Sequence, residues 1–322
     1  MSQQENELIQ RISGLLGGRR RRKGSVALGI GDDAALWVPK PEREVVLTCD
    51  WFLEGTHFLR GKHPPHAVGW KCLARAVSDI AAIGGVPRCF LMSLALPADL
   101  TGTWLDRFLR GLRRAAKELH CDPAGGDTTR RKEVLISITV IGEVSRGEAI
   151  HRSGATVGDA IYVSGTLGEA ELGLRMLRRG LGMAKATNAA LRKHLYPRPR
   201  LDLGQWLAEK RLASAMMDLS DGLSTDLPRL CAASGVGARI EGDSLPLSSL
   251  VSRAEATKLA LHGGDDYELL FTVKRRNERR LPRKFRALGL TRIGEITRER
   301  GISITDNGKS IALRSAGWDP FR

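Results

Sequence analysis

The chain has 322 residues, 42% of them hydrophobic and 27% charged, the balance of a soluble globular protein long enough for two ordinary domains. No apolar run approaches the ~18–20 residues needed to cross a membrane as a helix, and the polar, acidic start MSQQENELIQ reads as no signal peptide. A net charge of +15 raises nucleic acid as a partner, yet basic residues bunch only at Arg19–Lys23 and Arg275–Arg280 and aromatics are 5%, too few for base-stacking platforms, so neither nucleic acid nor membrane is expected.

The five cysteines (49, 72, 89, 121 and 231) are scattered and lack any CxxC, which argues against a disulfide framework and a structural zinc site. A reducing, cytoplasmic setting is the expectation.

In chain order, Leu8, Ile9, Ile12, Leu15 and Leu16 predict an amphipathic helix over 6–16. Val45–Cys49 reads as a short buried strand. Pro64-Pro65 opens a long helix, 65–83, stopped by Gly84-Gly85 and Pro87. Cys89–Leu96 is a strand, 103–119 an amphipathic helix and Val134–Val144 a β-branched strand. A composition shift over 145–158 divides the chain into 1–148 and 149–322. Beyond it come a strand at Ala160–Val163, helices near 167–180, 187–194 and 201–210, and a strand at Ala215–Met217. A helix then runs to Ser234, with Gly235 as its stop. Ala238–Ile240 and Glu268–Val273 are strands, and 291–314 is strand with a turn at Asp306-Asn307-Gly308. Strands are not followed one-for-one by helices, so the expected class is α+β.

The chemistry centres on the stretch from Leu28 to His57. Adjacent carboxylates, Asp32 and Asp33, follow a Gly-Ile-Gly turn, and Asp50 follows an apolar run. Paired carboxylates repel and resist desolvation, and a hard cation such as Mg²⁺ relieves both. A polar turn explains the same residues, because Gly-Asp-Asp is ordinary turn composition. Rival motifs fail. Gly29-Ile-Gly31-Asp-Asp-Ala34 matches a dinucleotide fingerprint only on paper, since its carboxylates would repel pyrophosphate. Gly308-Lys309-Ser310 lacks the phosphate-loop glycine, which here is Ser303. His57, His63 and His66 have no partners that make a zinc site.

Four segments share a theme: GIGDDAAL with TCDWFLEGTHF, AVSDIAAIGG, GGDTTR and MDLSDG each set Asp beside small residues. Small residues admit a ligand close to backbone, and carboxylates hold cations, as a metal–triphosphate complex requires. Each alone is more often a capped turn; Asp218 and Ser220 could simply cap the helix that follows.

The order GIGDDAAL, T-x-D, EGTHF, SDIAAIGG, GGDTTR, RSGA, DLSDGL-x-x-DL and GGDDYELLF resembles that of the thiamine-monophosphate kinases, over about residues 28–318. They belong with the aminoimidazole ribonucleotide synthetase-like proteins. The resemblance implies a two-domain α+β fold, with an N-terminal mixed domain that forms a dimer barrel and binds ATP and Mg²⁺. A C-terminal α/β sandwich-type domain completes the active site. It implies ATP-dependent phosphorylation of thiamine monophosphate to thiamine diphosphate, the last step in making that cofactor, by a homodimer.

Carried over by position, Asp33, Thr48, Cys49, Asp50, Asp79, Asp127, Asp218 and Asp221 become magnesium-site residues. Gly126, Asp127, Arg152 and Ser220 become ATP contacts, and His57, Asp266 and Trp318 contacts to thiamine monophosphate. No covalent or general-base residue is implied. Arg152 can fork onto phosphate, and Trp318 offers a flat face to a thiamine ring. The plainer alternatives are a surface arginine and tail packing. Two departures stand out: Cys49 replaces a threonine, so a magnesium role there needs its backbone carbonyl, and Asp265 replaces the glutamate of GGEDYEL. Two other classes compete: a superfamily enzyme acting on an amidine or selenide, and a basic nucleic-acid-binding protein. The second leaves the clustered carboxylates unexplained.

Overall fold

The computed structural model describes residues 3–16, 26–30, 34–180, 188–306, 309–319 and 321. The chain divides into two compact units, Met1–Ile80 with Gly85–Gly147, and Ala81–Gly84 with Glu148–Arg322.

The first unit opens with helix α1 (Gln3–Leu16) and the small antiparallel pair β1 (Val26–Leu28) and β2 (Leu36–Trp37). Strand β3 (Arg43–Leu53), helix α2 (Pro65–Ala82), strand β4 (Val86–Leu96), helix α3 (Thr103–Glu118), strand β5 (Asp122–Arg130) and strand β6 (Leu135–Ser145) follow. The strands form one sheet in the order β3-β6-β4-β5, with only β4 and β5 parallel. Helices α2 and α3 cross backbone to backbone. A Cβ at Gly69 would fall 2.0 Å from the Phe108 carbonyl oxygen, and one at Gly111 1.9 Å from that of His66. Arg11 ties α1 to α3 by a forked pair on Asp106, both bonds 2.7 Å.

Strand β3 corrects the expectation of a short buried run. It has 11 residues, lies at a sheet edge and alternates. Thr48, Asp50 and Phe52 lie on the face toward α2, while Leu47 and Trp51 on the other face are 68% and 57% exposed. Strand β5 was not expected as a strand. Its Gly-Gly pair has little intrinsic preference for one, and pairing along β4 supplies it.

The second unit contains β7 (Ala160–Ser164), α4 (Glu169–Arg178), α5 (Asn188–Leu195), α6 (Leu201–Glu209), β8 (Ala213–Leu219), α7 (Leu223–Ser234), β9 (Gly237–Glu241) and α8 (Arg253–His262). Then come β10 (Glu268–Val273), β11 (Lys284–Phe285), β12 (Leu288–Thr297), β13 (Ile302–Asp306) and β14 (Lys309–Ala312). Among the described residues the sheet runs β14-β13-β9-β12-β7-β10-β8, with β11 beside β12. Both faces are covered, so neighbouring residues serve different cores. Met217 and Leu270 join Leu223, Leu227 and Leu230 of α7, whereas Met216, Leu269 and Phe271 join Leu203 and Leu207 of α6. Helix α8, capped by Ser252, is absent from the sequence expectations. The turn residues 307 and 308 lie outside the described residues, but Asp306 pairs with Lys309 as a tight hairpin requires.

Candidate active site

In the first unit, Thr48 and Asp50 point to one side of β3, and Asp79 reaches Thr48 from the last turn of α2. The Thr48 hydroxyl donates to Asp79 Oδ2. A carboxylate at a helix C-terminus meets the unfavourable end of the dipole, so this placement costs stability that the hydroxyl partly offsets. Arg75, one turn earlier on α2, holds its guanidinium 5.4 Å from the Phe52 ring and its Nε 4.0 Å from Asp50 Oδ2. Cys49 faces the opposite side of the strand, with Sγ 3.4 Å from Ser137 Oγ. Its thiol is therefore turned away from the Thr48–Asp50 side, leaving only backbone to that side.

Asp127 does not join this group. It lies on β5, the opposite edge of the sheet, three strand spacings or ~14 Å along the sheet from β3. It pairs in register with Ser93, and its Oδ1 accepts the Thr128 N–H at 2.8 Å. Gly126, at φ +155°, has to be glycine, because a Cβ would sit 1.9 Å from the Met92 carbonyl oxygen. His57 closes the turn after β3. Its Nδ1 accepts the Leu53 N–H at 3.0 Å and its ring centroid is 5.9 Å from that of Phe52. Asp33 lies outside the described residues, as does Asp32. Among the described residues no three His, Cys, Asp or Glu side chains form a cage for a metal ion. The donors that do gather are oxygens, the chemistry a hard cation takes.

In the second unit, β8 delivers Asp218, 3% exposed, to its C-terminal end and runs into the Ser220-Asp221-Gly222 loop. That loop is tethered at four backbone atoms. Asp226 Oδ2, on the first turn of α7, accepts the N–H of Ser220 at 3.1 Å and of Asp221 at 3.0 Å. The Ser220 carbonyl accepts from Asp265 N at 2.8 Å, and the Asp221 carbonyl accepts from Trp318 N at 3.0 Å. The last bond brings the tail onto the loop, and Gly317 permits it, since a Cβ there would lie 2.0 Å from the Asp221 oxygen. The Trp318 side chain remains 47% exposed. Burial, then the charge of Asp221, pushes the Asp226 carboxyl up to about 7, against its two N–H bonds and Arg229.

The adjacent pair Asp265-Asp266 splits into two roles. Asp266 is 4% exposed. Its oxygens accept the N–H groups of Gly168 and Ala170 at the start of α4, and Lys193 Nζ is 3.6 Å away. Burial holds its carboxyl up at about 6 although Lys193 and those N–H groups pull it down. The expected substrate contact is thus engaged inside the unit. Asp265 is the half-buried one, with Tyr267 OH donating to its Oδ1 at 2.7 Å. Asp265 and Tyr267 sit at φ 66° and 51°, left-handed conformations that non-glycine residues adopt at a cost of about 1 kcal/mol each. Behind them, Glu268 is fully buried and held by an Arg200 fork (2.7 and 2.5 Å), by Lys193 at 3.3 Å and by Ser164 Oγ at 2.6 Å. Sequence reasoning leaves Asp265, Asp226 and Arg229 without roles. The one available signal is the α-helical i, i+3 spacing of Asp226 and Arg229.

Arg152 is exposed on a short 3₁₀ turn and its carbonyl accepts from Ser234 Oγ at 2.7 Å.

Comparison with known proteins matches residues 31–144 to the N-terminal domain of AIR synthase related proteins and residues 156–307 to their C-terminal domain. The thiamine-monophosphate kinase of Escherichia coli K12 is 38% identical over 311 residues, 94% of each chain. The solved thiamine-monophosphate kinase of Stenotrophomonas maltophilia K279a superposes with a TM-score of 0.83 at 36% identity, over 94% of this chain and 96% of that one. A structure described as AaThiL complexed with AMPPCP and TMP superposes with a TM-score of 0.77 at 34% identity over 98% of each chain. Likeness of this degree along nearly the whole length places the chain in the thiamine-monophosphate kinase family.

Proposed function

We propose that this chain transfers the γ-phosphoryl group of ATP to thiamine monophosphate, giving thiamine diphosphate and ADP in one in-line step. The observation that carries the reading is the full-length likeness to AaThiL, whose solved complex holds AMPPCP and TMP, together with carboxylates at the positions where the motifs of that family fall.

Several Mg²⁺ ions would be held by Thr48, Asp50 and Asp79 in the first unit, by Asp218 and Asp221 in the second, and by Asp33 and Asp127, with Cys49 contributing its carbonyl. The oxygen donors fit the ion, and the thiol, the one mismatched group, faces away. Bound Mg²⁺ would screen the repulsion between two phosphorylated molecules and stabilise charge on the moving group. The acceptor is a phosphate oxygen already ionised near neutral pH, so no general base is assigned. Gly126, Asp127, Arg152 and Ser220 contact ATP. His57 and the exposed Trp318 face contact thiamine monophosphate. Asp266 is the carboxylate assigned to the cationic thiazolium, and the half-buried Asp265 beside it is the alternative.

The proposed division of labour gives dimerisation to residues 1–148 and completion of the site to residues 149–322. Support for a homodimer comes from the bare face of the four-stranded sheet, where Val45, Leu47, Trp51 and Leu91 are all exposed, a patch that a second copy would cover. The reading also puts the enzyme in the cytoplasm, where free thiols such as Cys49 persist. No helix among the described residues is long and apolar enough to cross a membrane.

The test is incubation with ATP, Mg²⁺ and thiamine monophosphate. Equal amounts of thiamine diphosphate and ADP are expected; ADP release without thiamine diphosphate would refute the substrate assignment. Binding to DNA or RNA that falls steeply with salt, with no ADP release, would favour the nucleic-acid reading.

A further inference from the structure

The loop Ser220-Asp221-Gly222 is fixed in its backbone, but the Asp221 carboxylate is held differently. Arg229, two turns into α7, places Nη1 2.5 Å from Asp221 Oδ2 and 2.9 Å from Asp226 Oδ1. One guanidinium nitrogen therefore bridges two carboxylates. The partners differ in exposure: Asp226 is fully buried, Asp221 is 21% exposed and Arg229 is 45% exposed. The buried carboxylate is also anchored by the Ser220 and Asp221 N–H groups. Of the three side chains, the arginine has the most room to swing.

We propose that Arg229 is a resident counter-charge that a divalent cation displaces from Asp221. Without the cation, the Asp221 and Asp226 carboxyl groups crowd one loop, and the arginine that bridges them keeps the loop closed. When a cation arrives, Arg229 releases Asp221 and keeps Asp226. An exchange of this kind holds the loop in one shape in both states and sets how readily the site gives up its ion. The inference rests on the reading of Asp221 as a cation ligand.

The experiment titrates the purified full-length protein with Mn²⁺ alone, followed by electron paramagnetic resonance, for wild type, Arg229→Gln, Arg229→Lys, Asp221→Asn and the double variant Arg229→Gln/Asp221→Asn. Arg229→Gln removes the competitor, so one site should bind Mn²⁺ about fivefold more tightly, the scale of a half-exposed ion pair. Arg229→Lys should stay near wild type, and the double variant should lose the gain. Unchanged or weaker binding in a folded Arg229→Gln protein overturns the proposal. If Arg229→Gln does not fold, the wild type decides: nitrogen-15 detected exchange of the Arg229 guanidinium should quicken on adding Mg²⁺, while slow exchange throughout would refute displacement. Should Asp221→Asn alone leave Mn²⁺ binding untouched, the cation role of Asp221 itself fails, an outcome separable from failure of the Arg229 inference.

Discussion

The two carboxylate groups are built in opposite ways. Thr48, Asp50 and Asp79 ride on a strand and a helix, whose backbones are fixed by the ladder to β6 and by helical hydrogen bonds, and their arginine stands off, with Arg75 Nε 4.0 Å from Asp50. Asp221 rides on a loop, which is tethered at four backbone atoms and closed by Arg229 at 2.5 Å. Regular elements position a charge by themselves; a loop that carries charge needs buried acceptors and a counter-ion to do so. The first group is therefore expected to fail through chemistry when altered, and the second through structure.

The largest effect should come from the first group. Asp79→Asn and Asp50→Asn are isosteric and leave the sheet and α2 intact, so thiamine diphosphate formation should fall by about 10³-fold or more while the melting temperature stays within a few degrees. Turnover retained in either variant would remove the carboxylates from the mechanism. The opposite face of the same strand gives the contrast. Leu47→Asp puts a charge on the bare apolar face; if that face is the proposed dimer interface, sedimentation should give dimers for wild type and monomers for the variant.

Next comes the loop. Asp226→Ala leaves the Ser220 and Asp221 N–H groups without their acceptor and frees Arg229, a loss of about 2–4 kcal/mol in urea unfolding. Asp226→Asn keeps an acceptor and should lose less. An Asp226→Ala protein as stable as wild type would mean that the loop holds itself.

The smallest effect is a pH dependence. The folded-state value of Asp266, about 6, lies above its unfolded value, because burial outweighs Lys193 and the N–H bonds. The folded protein thus binds more protons than the unfolded one between about pH 4 and 6. This group's contribution to stability is present below that window and is lost as pH rises through it. Asp266→Asn should flatten that part of the profile of melting temperature against pH; an unchanged slope would assign it to other groups.

Much of this could be read from sequence, for identifiable reasons. Helices α2 and α3 and strands β6 and β10 carry apolar patterns that survive in the structure, and the Gly235 stop of α7 adopts the left-handed φ of 69° expected of it. Strand β5 escaped because Asp122–Arg130 has almost no strand preference of its own and is imposed by β4. The site was legible as motifs but not as roles. Nothing local distinguishes Asp265 from Asp266; the difference is made by Gly168, 98 residues away in sequence, whose N–H takes the Asp266 carboxylate. The separation of Asp127 from Asp50 is likewise a matter of strand order, which a list of motifs does not contain.

The proposed reaction is a single direct displacement between two phosphorylated substrates, with no phosphorylated enzyme between them. It is tested most directly with ATP made chiral at the γ-phosphorus by sulfur and oxygen isotopes, followed by configurational analysis of the thiamine product. Inversion at phosphorus is expected. Retention would require two displacements and a covalent intermediate on the chain, and would contradict it.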